Sequence, residues 1–90
     1  MNEKILEEIG LSRGESKIYL ALIDLGSSTT GPIAKKSKIS HSKVYKILDK
    51  LSVKGLVSYV LIRKTKYFKA SNPEHGFKQI IKLLRKAKRI

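Results

Sequence analysis

The chain has 90 residues, the size of a single domain, and contains no cysteine, which excludes disulfides, thiolate metal sites and cysteine nucleophiles. Its net charge of +13 is unevenly distributed, because residues 1–34 carry three basic and five acidic side chains whereas residues 35–90 carry seventeen basic and two acidic. This split predicts a polyanionic partner, either nucleic acid or an anionic membrane surface. A general enrichment in lysine is the alternative, but it does not account for the acidic first third.

Neither the apolar runs nor the N-terminal sequence indicates a membrane or a secreted protein. The longest apolar run, IYLALI at residues 18–23, is far too short to span a bilayer. The first ten residues, MNEKILEEIG, are acidic and lack the basic-then-apolar order of a signal peptide. We therefore expect a cytoplasmic protein without a membrane partner.

Two helices are predicted in the acidic part of the chain. The first spans Glu3–Ile9 and is short. The second begins at a capping box, in which Ser12 is the N-cap and Glu15 occupies the third helical position. Its apolar residues recur at helical spacing, and Gly26 is a natural C-terminal stop.

The next two helices are separated by only about three residues, Lys38–Ser40, which is the spacing of a helix-turn-helix motif. The earlier helix is capped by Thr29 or Thr30, and the later one by Ser40. At about 100° per residue the later helix has two distinct faces. One is an apolar seam of Val44, Leu48, Leu51 and Gly55, flanked by Ile47, and the other carries Ser42, Lys43, Lys46 and Lys50.

Beyond Gly55 the β-branched and aromatic residues predict a hairpin, with strands at about 56–62 and 66–70 and RKTK as the connecting tip. A last amphipathic helix follows, with Pro73 in its first turn. The fold class is therefore mainly α with a small β-hairpin. It is a winged helix-turn-helix domain over residues 1–72 with an additional C-terminal helix over 73–90.

Three segments resemble the DNA-binding domain of the TrmB-type archaeal transcription regulators: LSRGESKIYLALIDLG, IAKKSKISHSKVYKILDKLSVKGLV and the hairpin ending KYFKAS. The match covers roughly residues 10–75, and its most specific part is SKVY at 42–45 followed by KGLV. The resemblance implies a cytoplasmic DNA-binding regulator. Its recognition helix, about 40–54, enters the major groove, and its wing, about 63–66, lies on the backbone or minor groove.

Two departures from that family stand out. The family usually has glycine in the turn, where this chain has Lys38; a left-handed lysine costs about 1 kcal/mol, unless the turn differs. Longer members carry a C-terminal effector domain that senses sugars. This sequence ends at Ile90, so we expect no sugar sensing from it, whether it is a short stand-alone regulator or a piece of a longer chain. The effector is unknown.

The candidate DNA contacts form two groups. Ser42, Lys43 and Lys46 lie in the first two turns of the recognition helix and are predicted to read bases, since lysine can donate to guanine O6 and N7 and serine to several base edges. A solvated lysine face is the alternative. Backbone contacts are predicted for Lys35, Lys36, Ser40, His41, Lys50, Arg63, Lys64 and Lys66.

Some of these residues have a second interpretation. His41 could touch a phosphate or pack at the helix start. Lys35 and Lys36 could complement the dipole of the helix that they end. Tyr45, at the edge of the seam, is expected to be partly buried in the core rather than to contact DNA.

The sequence does not favour an enzyme, a cofactor or a metal site. His41 and His75 are 34 positions apart, with no cysteine and no nearby pair of carboxylates. GSSTTG has the glycine spacing of a P-loop, but Pro32 and Ile33 replace the lysine and the metal-binding hydroxyl. No metal-ligand spacing occurs.

The apolar face of the last helix is wider than one side of a small domain requires, which predicts a homodimer interface. Its residues are Phe77, Ile80, Ile81, Leu84 and Ala87. Packing on its own domain and binding to anionic lipid are the alternatives. We therefore expect a dimeric regulator that binds double-stranded DNA. The alternative is a winged-helix interaction module for RNA, anionic membrane or a protein. A protein-binding winged helix would not need lysines at positions 43, 46 and 50.

Overall fold

The computed structural model describes residues 3–8 and 10–71. Within them the elements are α1 (Glu3–Glu8), α2 (Arg13–Leu25), β1 (Ser27–Ser28), α3 (Thr30–Ser37), α4 (His41–Val53), β2 (Val57–Ile62) and β3 (Thr65–Ala70). A helix-turn-helix followed by a hairpin confirms the predicted winged-helix fold. Outside the described residues lie the predicted helix over 73–90, the predicted boundary after residue 72, and the predicted dimer residues Phe77, Ile80, Ile81, Leu84 and Ala87.

The core is built around α2, which contacts α1, α3, α4 and the sheet. Ile18 and Leu22 of α2 are fully buried, and each such side chain contributes about 1.5–3 kcal/mol through apolar burial. The neighbouring elements supply the remaining buried apolar side chains, among them Leu6, Ile33, Val44, Leu48, Leu51, Leu56, Val57 and Phe68. The predicted seam of the recognition helix therefore faces the core.

The ends of α2 follow from its sequence. The backbone N–H of Glu15 donates to Ser12 Oγ at 3.1 Å, and the backbone N–H of Ser12 donates to Glu15 Oε1 at 2.9 Å, so the predicted capping box is present. At the other end Gly26 has a φ of 78°, and its N–H donates to the carbonyl oxygen of Leu22 at 2.8 Å. Glycine is favoured at such a positive φ.

The turn between α3 and α4 is tight. Lys38 caps α3 in the left-handed conformation, with φ 59° and ψ 32°, and its N–H donates to the carbonyl oxygen of Ala34. The chain thus accepts a left-handed lysine where the family usually has glycine. Ser40 is the N-cap of α4, although its side chain makes no capping hydrogen bond. At the far end α4 stops at Val53, so Gly55, with a φ of 76°, follows the helix instead of extending its seam.

The sheet has three antiparallel strands in the order β1-β3-β2, one more than the predicted hairpin. The additional strand pairs Ser27 with Lys69 and Ser28 with Phe68. The hairpin turn is shorter than predicted, since Ile62 pairs with Thr65 and only residues 63 and 64 connect the strands. Both turn residues have a positive φ, as a two-residue type I′ turn requires. Lys66 therefore lies in β3 rather than at the tip.

Candidate nucleic-acid interface

The outer face of α4 is the first part of the site. Burial of Val44, Leu48 and Leu51 fixes the rotation of the helix and leaves the opposite side chains in solvent. All three predicted base-reading residues, Ser42, Lys43 and Lys46, are exposed there, as is Lys50. Ser42, Lys43 and Lys46 thus lie together in the first two turns of α4. This is the part of a recognition helix that usually contacts base edges.

The lysine at the C-terminal end of α4 is used differently. Lys54 Nζ donates to Glu15 Oε2 at 2.6 Å, and this carboxylate is almost fully buried at the start of α2. Burial by itself would raise the pKa of Glu15, but the hydrogen bond from Lys54 and those from Ser12 outweigh it and lower that pKa. Sequence reasoning missed this pair because its members are 39 positions apart.

The predicted backbone contacts on α3 are both exposed. Lys36 Nζ lies 3.8 Å from Asp24 Oδ2 of α2, and both side chains remain largely accessible to solvent. Exposed ion pairs of this kind contribute little to stability. The pair with Asp24 therefore does not prevent Lys36 from binding another anionic group. Contact of Lys35 and Lys36 with a phosphate stays a prediction.

Thr30, the first residue of α3, forms a polar cluster with His41 and Tyr45 near the start of α4. His41 Nε2 lies 2.9 Å from Thr30 Oγ1, and the Thr30 hydroxyl donates to Tyr45 Oη at 3.4 Å. The rings of His41 and Tyr45 are stacked, with centroids 6.0 Å apart and planes 14° apart. His41 therefore packs at the helix start, and its phosphate contact stays a prediction.

The expected partial burial of Tyr45 in the core is not observed, because its side chain is 53% exposed and belongs neither to the core cluster nor to the side chains packed against it. Val44 takes the core position, and the next residue is turned about 100° away from it around the helix. Tyr45 instead lies beside Thr30 at the start of α3. Thr30 itself was no candidate from sequence, because nothing in a lone threonine distinguishes a helix cap from a site residue.

The wing supplies the second group of cations. Arg63 and Lys64 form the exposed turn of the hairpin. Lys66 is also exposed, and its Nζ lies 4.6 Å from the centroid of the Tyr59 ring, in a cation–π contact. Three of the predicted backbone contacts therefore lie together on the wing.

A groove of about 370 Å³ separates α4 from the wing. It is lined by Thr29, Thr30, Tyr45, Leu61, Lys64, Thr65, Lys66 and Phe68. Because hydroxyl and ammonium groups surround an apolar floor, the groove is suited to an elongated anion. No cluster of metal-ligating side chains occurs among the described residues. Within the same part of the chain, no helix has the length and apolar character to cross a membrane.

Comparison with known proteins identifies the family of the chain and its fold. The model of the family "Sugar-specific transcriptional regulator TrmB" matches residues 6–74. The chain is 38% identical over 63 residues to the "HTH-type sugar sensing transcriptional regulator TrmBL1" of Pyrococcus furiosus, a match that covers 67% of this chain and 18% of that protein. The chain thus spans about a fifth of the length of this curated relative.

Solved structures share the fold. TrmBL2, an archaeal chromatin protein with a novel mode of DNA binding, superposes with a TM-score of 0.80 at 24% identity, covering 94% of this chain and 33% of that one. The MarR family transcriptional regulator SPO1453 from Silicibacter pomeroyi superposes with a TM-score of 0.68 at 21% identity, covering 96% and 61%. At these identities the likeness establishes the winged-helix fold.

Proposed function

The chain belongs to the TrmB family, a family of transcriptional regulators and not of enzymes, and from this premise we propose that it binds double-stranded DNA sequence-specifically. The observation that carries the proposal is the outer face of α4. Ser42, Lys43 and Lys46 are exposed together opposite a fully buried seam, directly after a helix-turn-helix turn. The concentration of positive charge in residues 35–90 supports it.

In this proposal α4, with its flanking residues at about 40–54, enters the major groove, where Ser42, Lys43 and Lys46 read base edges. The wing at about 63–66 lies on the backbone or in the minor groove. Sequence-independent phosphate contacts come from Lys35, Lys36, Ser40, His41, Lys50, Arg63, Lys64 and Lys66. Duplex DNA as the partner implies a cytoplasmic location. Sugar sensing is named for the Pyrococcus relative and is not part of this proposal.

We also propose that the chain forms a homodimer. One winged helix covers about one half-site, which rarely gives enough specificity in a genome. The sequence offers an apolar face at 77–87, and a twofold contact there would set two recognition helices about 34 Å apart, in successive major grooves. Light scattering tests this directly. We expect a dimer at tens of micromolar and a folded monomer for Leu84→Glu, whereas a wild-type monomer would reject the pairing.

Salt-dependent binding to three polyanions tests the DNA proposal against the interaction-module alternative. Duplex DNA, single-stranded RNA and anionic vesicles are titrated at equal ionic strength. We expect tightest binding to the duplex, with a log–log salt slope of roughly −9 to −11 for a dimer that neutralises about five or six phosphates per protomer. A slope shallower than about −3, or preference for RNA or vesicles, would reject DNA as the partner.

A further inference from the structure

Tyr45 projects toward the groove beside the wing and not into the core. It lies about 60° around α4 from Ser42 and about 100° from Lys46, so it flanks the base-reading face on one side. Its side chain is 53% exposed and lines the groove together with Lys64 and Lys66 of the wing. Any strand of a polyanion that passes between α4 and the wing would therefore meet this tyrosine.

Two contacts fix the Tyr45 side chain before any ligand arrives. Its ring is stacked on that of His41, one helical turn earlier, at a centroid distance of 6.0 Å. Its oxygen accepts a long hydrogen bond of 3.4 Å from the Thr30 hydroxyl. A side chain held in this way loses less conformational freedom on binding than a free one.

The direction of these hydrogen bonds determines what Tyr45 can offer a ligand. A threonine hydroxyl has one proton, and Thr30 gives it to Tyr45 Oη. In the tautomer of His41 that carries its proton on Nε2, the Thr30 oxygen accepts from that nitrogen, which lies 2.9 Å away. In this arrangement the chain of donors runs from His41 through Thr30 to Tyr45, whose own O–H proton points to no acceptor in the network. Tyr45 is left as the terminal donor.

The residues that line the groove around the Tyr45 hydroxyl favour an anionic ligand. The groove of about 370 Å³ is open to solvent and can admit a phosphate group. Among the described residues that line it, Lys64 and Lys66 are positive and none is acidic. Leu61 and Phe68 give it an apolar floor, against which a sugar can pack.

We propose that Tyr45 is a further DNA contact, whose hydroxyl donates a hydrogen bond to a backbone phosphate held in the groove between α4 and the wing. This inference rests on the proposed function, because a DNA strand occupies the groove only when α4 lies in the major groove. A phosphate is the partner and not a base, since Tyr45 flanks the base-reading face and opens toward two lysines. His41 and Thr30 are positioning residues for this donor.

The test is the affinity of Tyr45→Phe for two duplexes, one of selected sequence and one of random sequence. This variant keeps the stacked ring and removes only the hydroxyl. We expect binding about tenfold weaker on both duplexes, as for loss of a hydrogen bond to a charged acceptor. We expect an unchanged log–log salt slope, because a neutral side chain releases no counterion, whereas Lys64→Ala should make the slope shallower by about 1 per protomer, or about 2 for the proposed dimer.

Matched variants separate this effect from altered folding. Tyr67→Phe removes a tyrosine hydroxyl from β3 at a position whose side chain points away from that of Phe68, so it should bind like wild type. Thr30→Val should weaken binding less than Tyr45→Phe does. The double variant, with Thr30→Val and Tyr45→Phe together, should bind as weakly as Tyr45→Phe alone. Thr30→Ser, which keeps the hydroxyl, should bind like wild type. All variants should keep the wild-type circular dichroism spectrum and melting temperature.

Two outcomes would overturn the inference while leaving the proposed function in place. The first is wild-type affinity of Tyr45→Phe on both duplexes. The second is a loss limited to the selected sequence with relaxed preference at one base pair, since Tyr45 would then read a base. If the unsubstituted protein shows no salt-dependent binding to duplex DNA, the proposed function fails, and the inference fails with it.

Discussion

The two ends of α4 are held by contacts of different kinds. At the C-terminal end Lys54 donates to the buried carboxylate of Glu15, which also accepts from the backbone of Ser12. At the N-terminal end His41, Thr30 and Tyr45 form a polar cluster on the surface. One end therefore ties the helix to the core, whereas the other keeps its polar groups accessible. The lysines of this segment thus differ in role. Lys54 stabilises the fold, whereas Lys43 and Lys46 are proposed to bind DNA.

The largest expected effect is on stability, from Glu15→Ala. This substitution leaves the Lys54 ammonium without its partner and removes half of the capping box, so we expect a loss of about 3 kcal/mol in the free energy of unfolding. Urea denaturation followed by circular dichroism measures it. Asp24→Ala, which breaks the exposed pair with Lys36, is the control and should cost less than about 1 kcal/mol. Equal losses for the two variants would contradict the difference between buried and exposed pairs.

The next effect is on binding, from Lys46→Ala. On a selected duplex we expect a loss of about 1–3 kcal/mol and relaxed preference at one base position, with unfolding changed by no more than about 0.5 kcal/mol. Lys64→Ala on the wing should instead weaken selected and random duplexes equally. Fluorescence anisotropy titrations on both duplexes provide the comparison. If each variant lost as much affinity on the random duplex as on the selected one, Lys46 would not read bases.

A smaller effect is expected in the turn before α4, from Lys38→Gly. Lys38 has a φ of 59°, and glycine removes the left-handed strain of about 1 kcal/mol, so the variant should be more stable by up to about that amount. The melting temperature should rise while DNA affinity stays the same. A lower melting temperature would mean that the lysine side chain stabilises the turn by contacts that outweigh its strain.

The smallest effect is the dependence of stability on pH through Glu15. Its pKa is lowered in the folded protein, because the bonds from Lys54 and Ser12 outweigh the desolvation that raises it. The stabilisation is therefore fully present above the ordinary value of 4.5 and is lost as the pH falls through the lowered value. It is small because the desolvation offsets much of the gain. Glu15→Gln should remove this contribution in acid denaturation, and an unchanged profile would contradict it.

The helices could be predicted because their signals are local. Ser12 and Glu15 are three positions apart and define the start of α2, and the spacing of Val44, Leu48 and Leu51 sets the rotation of α4. The exposure of Ser42, Lys43 and Lys46 follows from the same spacing. The fold and the proposed base-reading face were thus accessible to sequence reasoning.

The features that sequence reasoning missed depend on contacts between distant residues. Strand β1 has only two residues, too few for any periodicity, and pairs with a strand some forty positions later. The Glu15–Lys54 pair spans 39 positions. The contact of Tyr45 with Thr30, fifteen positions away, depends on the packing of α3 against α4. A helical wheel places Tyr45 at the edge of the seam but does not show which neighbour it meets.

Selection of bound sequences from random duplexes, performed in parallel with wild-type protein and Lys46→Ala, tests the central claim most directly. If the exposed face of α4 reads DNA, the wild-type protein will enrich a defined motif, and Lys46→Ala will enrich the same motif with one position relaxed. If the wild-type protein enriches no motif, or if both proteins enrich identical motifs, α4 does not read sequence through Lys46 and the account is contradicted.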